Sequence, residues 1–474
     1  MFYAIILAAG KGSRMASDLP KCAVPILGKP MIEFLIDSIE KSKINKSICV
    51  LGHKKEVIEE CLKDRVSYVF QDKQLGTAHA VSCAKDELDI EGTTVIFPGD
   101  VPFFDEKLID NLLDYHTSNR NTLTIVTTVL DNPFGYGRII RKNGKIVKII
   151  EEFAANIEEK TINEVNTGIM CIENKALFEA LDQVKIDKVK QEMLLTDIVQ
   201  FLKKYRIETV KISDPKKVRG INDLATLSIV SDELRKDIVN KHRSSGILIE
   251  QPDMVTIGPD VKIEPSATIR GGSFVFGKSV IAAKTIIGPN SELTNSVIGE
   301  GSKVVHSVIS DSIIGKNTTI GPFAHLRPNT EIKDNVKIGN FVELKNTYIG
   351  NKTNVSHLSY VGDSQVGAGV NFGCGAITVN YDGQNKSQTI IGDNTFIGCN
   401  SNLIAPLSIG NNCYVAAGST LTKDLETFDF AITRSPQIIK KNYAQKYNYS
   451  RYEEDDVKWN ILGLMVLEVN RIKT

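Results

Sequence analysis

Apolar residues repeat with two different periods along the chain, and the change falls near residue 250. Up to about residue 222, short apolar runs alternate with stretches of helical periodicity. Tyr3–Leu7, Ser47–Leu51 and Thr94–Phe97 read as buried strands, with Met31–Lys41 and Glu56–Cys61 as helices packed on them. This alternation predicts a mostly parallel sheet covered by helices on both faces. Ligands bind beyond the carboxyl ends of strands in such sheets, and Leu7-Ala8-Ala9-Gly10 and Pro98-Gly99-Asp100 stand at two of those ends. Residues 223–245 are charged, free of glycine and proline, and helical in period, which predicts a helix joining two units.

Beyond residue 250 the period becomes six. Ile257, Ile263, Ile269, Val275, Ile281, Ile287 and Leu293 are aliphatic at strict six-residue spacing. Some steps then shorten to five, through Ile298, Val304, Ile309 and Ile314. The longer step resumes at Ile320, Leu326, Ile332, Ile338 and Leu344, and again from Ile391 through Ile397, Leu403, Ile409 and Val415 to Leu421. Glycine often follows the aliphatic, and small residues or asparagine precede the next strand. This is the signature of a hexapeptide-repeat parallel β-helix, in which each repeat supplies one short strand and one turn around a narrow apolar interior. The expected organisation is a head over 1–222, a linker helix over 223–248, a β-helix tail over 249–440 and an extension over 441–474 of unknown role.

A chain of 474 residues needs more than one core, which agrees with that division. Lys and Arg number 57, as do Asp and Glu, so no global field attracts nucleic acid or an anionic membrane. No apolar run reaches spanning length and the start lacks a basic n-region, so the expectation is a soluble, cytoplasmic protein without membrane or nucleic-acid partners. The 8 cysteines form no C-x-x-C pair and read as reduced small hydrophobes.

Chemistry concentrates in a few segments. Leu7 to Met15 reads LAAGKGSRM, a glycine-containing loop that matches neither the P-loop nor G-x-G-x-x-G. Its small residues let backbone N–H groups approach phosphate oxygens, and Lys11, Arg14 and the later Lys21 supply positive charge. With Leu19-Pro20-Lys21, the loop resembles the signature of sugar-phosphate nucleotidyltransferases. Gln71 with Gln74–Ala80, Gly99-Asp100-Val101-Pro102, Gly135–Ile139, Glu151, Asn166-Thr167-Gly168 and Gly220-Ile221-Asn222 extend that resemblance. In this order they resemble the bacterial family that joins an N-acetylglucosamine-1-phosphate uridylyltransferase to a glucosamine-1-phosphate acetyltransferase. Cys22-Ala23-Val24-Pro25 departs from the family's usual V-L-H-type run and is closer to related nucleotidyltransferases.

The resemblance implies a Rossmann-like nucleotidyltransferase head and a left-handed parallel β-helix tail. It implies that Leu7, Ala8, Ala9, Gly10, Lys21, Gln71, Gly76, Thr77, Gly99 and Asp100 hold the nucleotide, with Arg14 and Lys21 catalytic on the phosphates. Gly137, Glu151, Asn166 and Asn222 would hold the sugar phosphate, and Asp100 and Asn222 Mg²⁺, whose preference for oxygen ligands suits them.

In the tail, Ser356 to Asp363 reads SHLSYVGD and resembles the family's acetyltransferase motif. It implies His357 as general base, with Glu343 orienting it or balancing its charge. Arg327, Lys345, Tyr360, Asn371 and Lys386 would bind glucosamine-1-phosphate. Cys374, Asn380, Tyr381, Cys399, Ala417 and Arg434 match positions that contact acetyl-CoA. The family usually carries Ala at position 374 and Ser at 399. A trimer built through the tail, with acyl sites shared between subunits, is implied as well.

The expected activity is acetylation of glucosamine-1-phosphate by acetyl-CoA, then coupling of the product to UTP, giving pyrophosphate and UDP-N-acetylglucosamine, a precursor for peptidoglycan in the cell wall. Two other readings stand beside it: a single-activity sugar-1-phosphate nucleotidyltransferase with a structural tail, and a non-catalytic scaffold subunit.

Overall fold

The computed structural model describes residues 1–10, 12–15, 17–187 and 191–447. Lys11 and the acidic and apolar segments after residue 447, including Trp459, lie outside the described residues. The head is built on a nine-stranded sheet. At its centre Phe2–Ala8 pairs in parallel with both Lys46–Leu51 and Thr93–Pro98. The expectation of a mostly parallel sheet holds for these strands and for Ile207–Lys211, which runs parallel to Leu123–Val129. Glu164–Glu173 runs antiparallel to both Thr93–Pro98 and Leu123–Val129, and Arg138–Lys142 and Lys145–Ile150 add an antiparallel hairpin against it. Two apolar clusters cover the sheet, one around Ile32, Leu35, Ile36 and Phe97, the other around Ile5, Val50, Ile125 and Leu177. Met31–Lys41 supplies the first cluster because its apolar residues fall three and four apart on one face.

In the tail each short strand pairs in parallel with the third strand after it, so three strands make one coil. Ile257 lies against Val275, Ile263 against Ile281 and Ile269 against Ile287, three hexads apart. Where steps shorten, Ile298 pairs with Ile314, and the stack closes over the missing residues at a corner. The aliphatic positions form one continuous buried cluster from Ile249 to Ala431; only Ile263 among the repeat positions remains partly exposed. Burying such a side chain stabilises by about 1.5–3 kcal/mol, so the stack is the main source of tail stability.

The small residues that precede each strand have a second purpose. Ser279, Ser296 and Ser312 are buried two positions before the aliphatic and relay hydrogen bonds between coils. The Ser296 N–H donates to Ser279 Oγ (3.1 Å), and the Ser312 N–H to Ser296 Oγ (3.2 Å). These hydroxyls and the amides that donate to them are thereby satisfied in the narrow interior. Asparagines take the left-handed corner positions, as at Asn317 (φ 51°) and Asn400 (φ 52°).

The helix Leu224–Ser244 spans the junction. Asp223 caps it by accepting from the Thr226 N–H at 2.8 Å. Val230 packs with Met15, Ile26 and Ile221 of the head, while Val239 joins the β-helix core. Lys29, 7% exposed, pairs with Asp37 of the head and with Asp260 of the tail, the latter at 2.8 Å. Among the described residues no helix is long and apolar enough to cross a membrane.

His116 on the helix Glu106–Ser118 is 2% exposed, and burial pushes its pKa down to about 4. The fold favours the neutral ring, so the unfolded chain takes up a proton first as pH falls. The stability gained is present above about pH 6.5 and is lost as pH falls towards 4, a drop of roughly 3 kcal/mol. Melting curves between about pH 7 and pH 4.5 test this, and His116→Gln flattens the dependence across that window.

Candidate active sites

In the head, the loops after the central strands surround a cleft of about 520 Å³. Leu7, Ala9, Gly10, Lys21, Gln71, Gly76, Thr77, Asp100, Glu151 and Asn166 line it, so most residues expected around nucleotide and sugar come together. Ala8 points into the core instead, as its alternation with Leu7 requires. Gly99 lies against the Leu7 carbonyl, to which its N–H donates at 3.0 Å; a Cβ there would meet Leu7 O at 2.8 Å and Cys22 Sγ at 2.9 Å. Cys22 is buried in that wall, and burial, with the Asp100 charge nearby, pushes its thiol up to about 12. The departure at this position is therefore a packing change in the cleft wall, without thiolate chemistry.

The Lys21 ammonium pairs with the Asp100 carboxylate and donates to Asn222 Oδ1 at 2.7 Å. Arg14 Nη2 reaches the same Asn222 oxygen at 3.5 Å. A carboxylate and an amide oxygen thus converge on the Lys21 ammonium, with Arg14 beside them. Among the described residues no group of three or more His, Cys, Asp or Glu gathers to hold a metal. A hard divalent cation here would take few protein ligands, and the oxygens of Asp100 and Asn222 would suit one that keeps water and phosphate oxygens in its shell.

Gln74 Nε2 donates to the Ala9 carbonyl at 2.7 Å and Gln71 Nε2 to the Gly76 carbonyl at 3.0 Å, tying the two loops of the cleft together. Gly76 has φ 106°, and a Cβ there would run into the backbone of Met193. Gly137 stands beside Glu151, and its carbonyl accepts from the Asn166 N–H at 2.8 Å. Arg138, 2% exposed, holds this strand by an ion pair to Glu152 at 2.7 Å.

The sequence reading missed Glu192, Leu195 and Thr196, which close the far wall. Thr196 Oγ1 donates to Glu151 Oε1 at 3.0 Å, and the Leu195 N–H to Thr77 Oγ1 at 2.9 Å. This segment has no local motif; only its return to a loop more than a hundred residues earlier reveals it.

In the tail, Lys337–Ile349 and Asn354–Val366 are long strands that turn two corners each, paired through most of their length. Their register sets Asn340 beside His357 and Glu343 beside Tyr360. Asn340 Oδ1 lies 2.9 Å from His357 Nδ1. The amide oxygen accepts, so Nδ1 carries the proton and Nε2 is left as the basic nitrogen on an exposed edge. Glu343 instead pairs with Arg327 at 3.0 Å. Orientation of the ring thus falls to Asn340, which the sequence reading had not singled out; its signal is its position one coil before His357.

Lys345, Lys386 and Arg327 gather on the same face. The Lys386 ammonium beside Lys345 pushes it below the ordinary lysine value, and Arg327 adds to the shift. Three like charges this close form a site for an anion. The loop carrying Tyr381 and Lys386 interrupts the repeat and returns as a small antiparallel bridge between those two residues. Asn380, buried, donates to Asp363, whose other oxygen accepts from Asn346 Nδ2 at 2.6 Å. Asn371 pairs with Asn354 on the preceding coil. Cys374 and Cys399 are exposed, and Arg434 Nη1 donates to the Ala417 carbonyl at 2.8 Å.

A Rossmann-like head with a cleft at its strand ends lined by Lys21 and Asp100, and a parallel β-helix bearing an exposed histidine and three clustered cations, define a nucleotidyltransferase joined to a hexapeptide-repeat transferase. Residues 4–197 match the MobA-like NTP transferase domain, and residues 311–346 and 388–423 the bacterial transferase hexapeptide repeats, whose β-helix is left-handed. The chain is 48% identical over 446 residues to the bifunctional protein GlmU of Acholeplasma laidlawii, covering 94% of this chain and 97% of that one. It is 44% identical over 458 residues to that of Listeria monocytogenes, covering 95% and 99%, and 42% identical over 447 residues to that of Clostridium novyi, covering 94% and 98%. The chain belongs to the GlmU family of bifunctional transferases.

Because Lys386 depresses Lys345, Lys386→Met returns Lys345 towards the ordinary lysine value. A carbon-detected NMR titration of the lysine ε-methylenes reads this, and an unmoved Lys345 means the two ammonium groups do not share a site.

Proposed function

We propose that this enzyme acetylates glucosamine-1-phosphate with acetyl-CoA on the tail and couples the N-acetylglucosamine-1-phosphate to UTP in the head, giving UDP-N-acetylglucosamine and pyrophosphate. The observation that carries the reading is that the pair of long strands that fixes His357 through Asn340 also carries Lys345, which gathers with Arg327 and Lys386. A purely architectural tail needs neither a fixed imidazole tautomer nor three mutually repelling cations.

In the acetyl transfer, the three cations bind the sugar's phosphate and bring its amine to the histidine edge. His357 Nε2 takes the amine proton as nitrogen attacks the thioester carbon, while Asn340 holds Nδ1–H and stabilises the imidazolium that forms. Asn380, Tyr381, Cys399, Ala417 and Arg434 hold acetyl-CoA, and the backbone near Cys374 faces the developing oxyanion. Glu343 sets the position of Arg327.

In the head, a phosphate oxygen of the acetylated sugar attacks the α-phosphorus of UTP in line, and pyrophosphate leaves. Arg14 and Lys21 neutralise charge on the transferring phosphates. Gln71, Gly76 and Thr77 hold the nucleotide, and Glu151, set by Thr196, holds the sugar with Asn166. Asp100 and Asn222 would hold Mg²⁺, which when bound neutralises triphosphate charge.

The substrates are soluble small molecules and the cysteines are free, which supports a cytoplasmic location. Phe323, Phe341 and Leu358, each more than half exposed, form an apolar column beside His357, with the two phenyl rings stacked at 5.5 Å. Such a column is covered by neighbouring copies of the tail, which supports a trimer with acyl sites completed between subunits.

His357→Ala abolishes acetyl transfer, by about a hundredfold or more, and leaves uridylyl transfer intact; Asp100→Ala has the opposite pattern. Asn340→Ala lowers acetyl transfer about tenfold. Measuring coenzyme A and pyrophosphate release separately checks all three, and an unchanged acetylation rate in His357→Ala sinks the base assignment.

A further inference from the structure

Six of the eight cysteines are buried or half-buried, and burial raises the thiols of Cys22, Cys49, Cys61, Cys83 and Cys171. Cys374 and Cys399 are the two exposed ones. They occupy the same place in consecutive coils. Asn371 pairs with Phe396 and Phe372 with Ile397, so the register carried two residues further sets Cys374 beside Cys399. The backbone bonds agree: the Gly373 N–H donates to Ile397 O at 2.7 Å, and the Asn400 N–H to Cys374 O at 2.8 Å. Each cysteine follows a glycine that is buried and precedes a left-handed corner residue, Gly375 (φ 76°) or Asn400 (φ 52°). Both side chains therefore leave the same corner in the same direction. Parallel strands lie about 4.8 Å apart, within the Cα separation that a disulfide spans.

The same register sets Cys374 one coil beyond His357, and Cys399 one coil before Ala417, whose carbonyl Arg434 holds. The dithiol lies in the column of residues assigned to acetyl-CoA.

We propose that Cys374 and Cys399 form a reversible dithiol–disulfide site that gates acetyl-CoA binding, with a low-molecular-weight disulfide as oxidant. One thiolate attacks an oxidant sulfur, forming a mixed disulfide and releasing one small thiol. The second cysteine then attacks the protein sulfur of that bond and releases the other. One protein disulfide forms, the oxidant is reduced to two thiols, and the two cysteine protons pass to them. The bond ties adjacent coils together and removes the mobility of both sulfur atoms on the column assigned to acetyl-CoA. In a reducing cytosol such a bond is transient, as expected of a redox-sensing pair. The gating step rests on the acetyl-CoA reading above; the pairing of the thiols does not.

The full-length protein is equilibrated in graded mixtures of oxidised and reduced glutathione, then examined by intact mass, peptide mapping and both activity assays. The expected result is a loss of about 2 Da, a Cys374–Cys399 linked peptide, and a tenfold or greater fall in acetyl transfer that a reductant reverses, with uridylyl transfer unchanged. Cys374→Ala and Cys399→Ser each lack the linked peptide. Two glutathione adducts, or two free thiols at the oxidising end, overturn the pairing. A formed disulfide with undiminished acetyl transfer overturns the gating and leaves the proposed acetyl transfer standing; no acetyl transfer by the fully reduced protein overturns that reading instead, whatever the thiols do.

Discussion

The inward aliphatic of each repeat must stack on the aliphatic three strands later, and nearly everything in the tail depends on that contact. The interior is too narrow for a slipped register: moving one residue would bring a polar side chain inside and expel an isoleucine or leucine, at a cost of several kcal/mol per coil. Once the inward positions are fixed, the outward ones are fixed as columns. Asn340 and His357 stand in one, continued by Cys374, Cys399 and Ala417; Glu343 and Tyr360 stand in another. The chemistry of the tail is thus set by residues that do not touch it. Insertion of the loop bearing Tyr381 and Lys386 is tolerated because it leaves at a corner, and Thr389–Ile391 still pairs with Ser364–Val366.

The head applies a different constraint to the same end. Lys21 and Asp100 follow central strands and Asn222 follows the edge strand Ile207–Lys211, and the loops must bring the three to one point from three parts of the chain. Asn222 sits just before the linker helix, so the Lys21–Asp100–Asn222 cluster and the junction share structure. Val230 and Val239 anchor that helix to opposite units, and the buried Lys29 is neutralised from both sides. Removing one carboxylate partner of Lys29 leaves a poorly compensated buried charge, so this pair of contacts ties the two units together.

Much of this was legible in the sequence because it is periodic or local. The repeat positions from Ile257 to Leu421 read directly as the core, and Met31–Lys41 as a helix with the same ends that it has in the fold. The glycine loop and the Gly99-Asp100 strand end were legible as neighbours at one cleft, because both follow strands of the sheet at their carboxyl ends. What escaped is what depends on distant pairing. Thr196 sets Glu151 from a segment with no motif of its own. Asn340 orients His357 because two long strands pair, and Glu343, the more chemically suggestive neighbour, turns to Arg327. The antiparallel strand Glu164–Glu173 was equally hidden, because direction within a sheet leaves no mark on apolar spacing.

The central claim is that one chain carries two different transfer reactions on two physically distinct sites. The most direct test supplies the purified protein with glucosamine-1-phosphate, acetyl-CoA, UTP and Mg²⁺ and follows free coenzyme A and pyrophosphate separately. The account predicts release of both, with pyrophosphate lagging behind coenzyme A because the head waits for acetylated sugar. Pyrophosphate formed only from pre-acetylated sugar phosphate, with no coenzyme A thiol released, would contradict it and leave the β-helix as architecture.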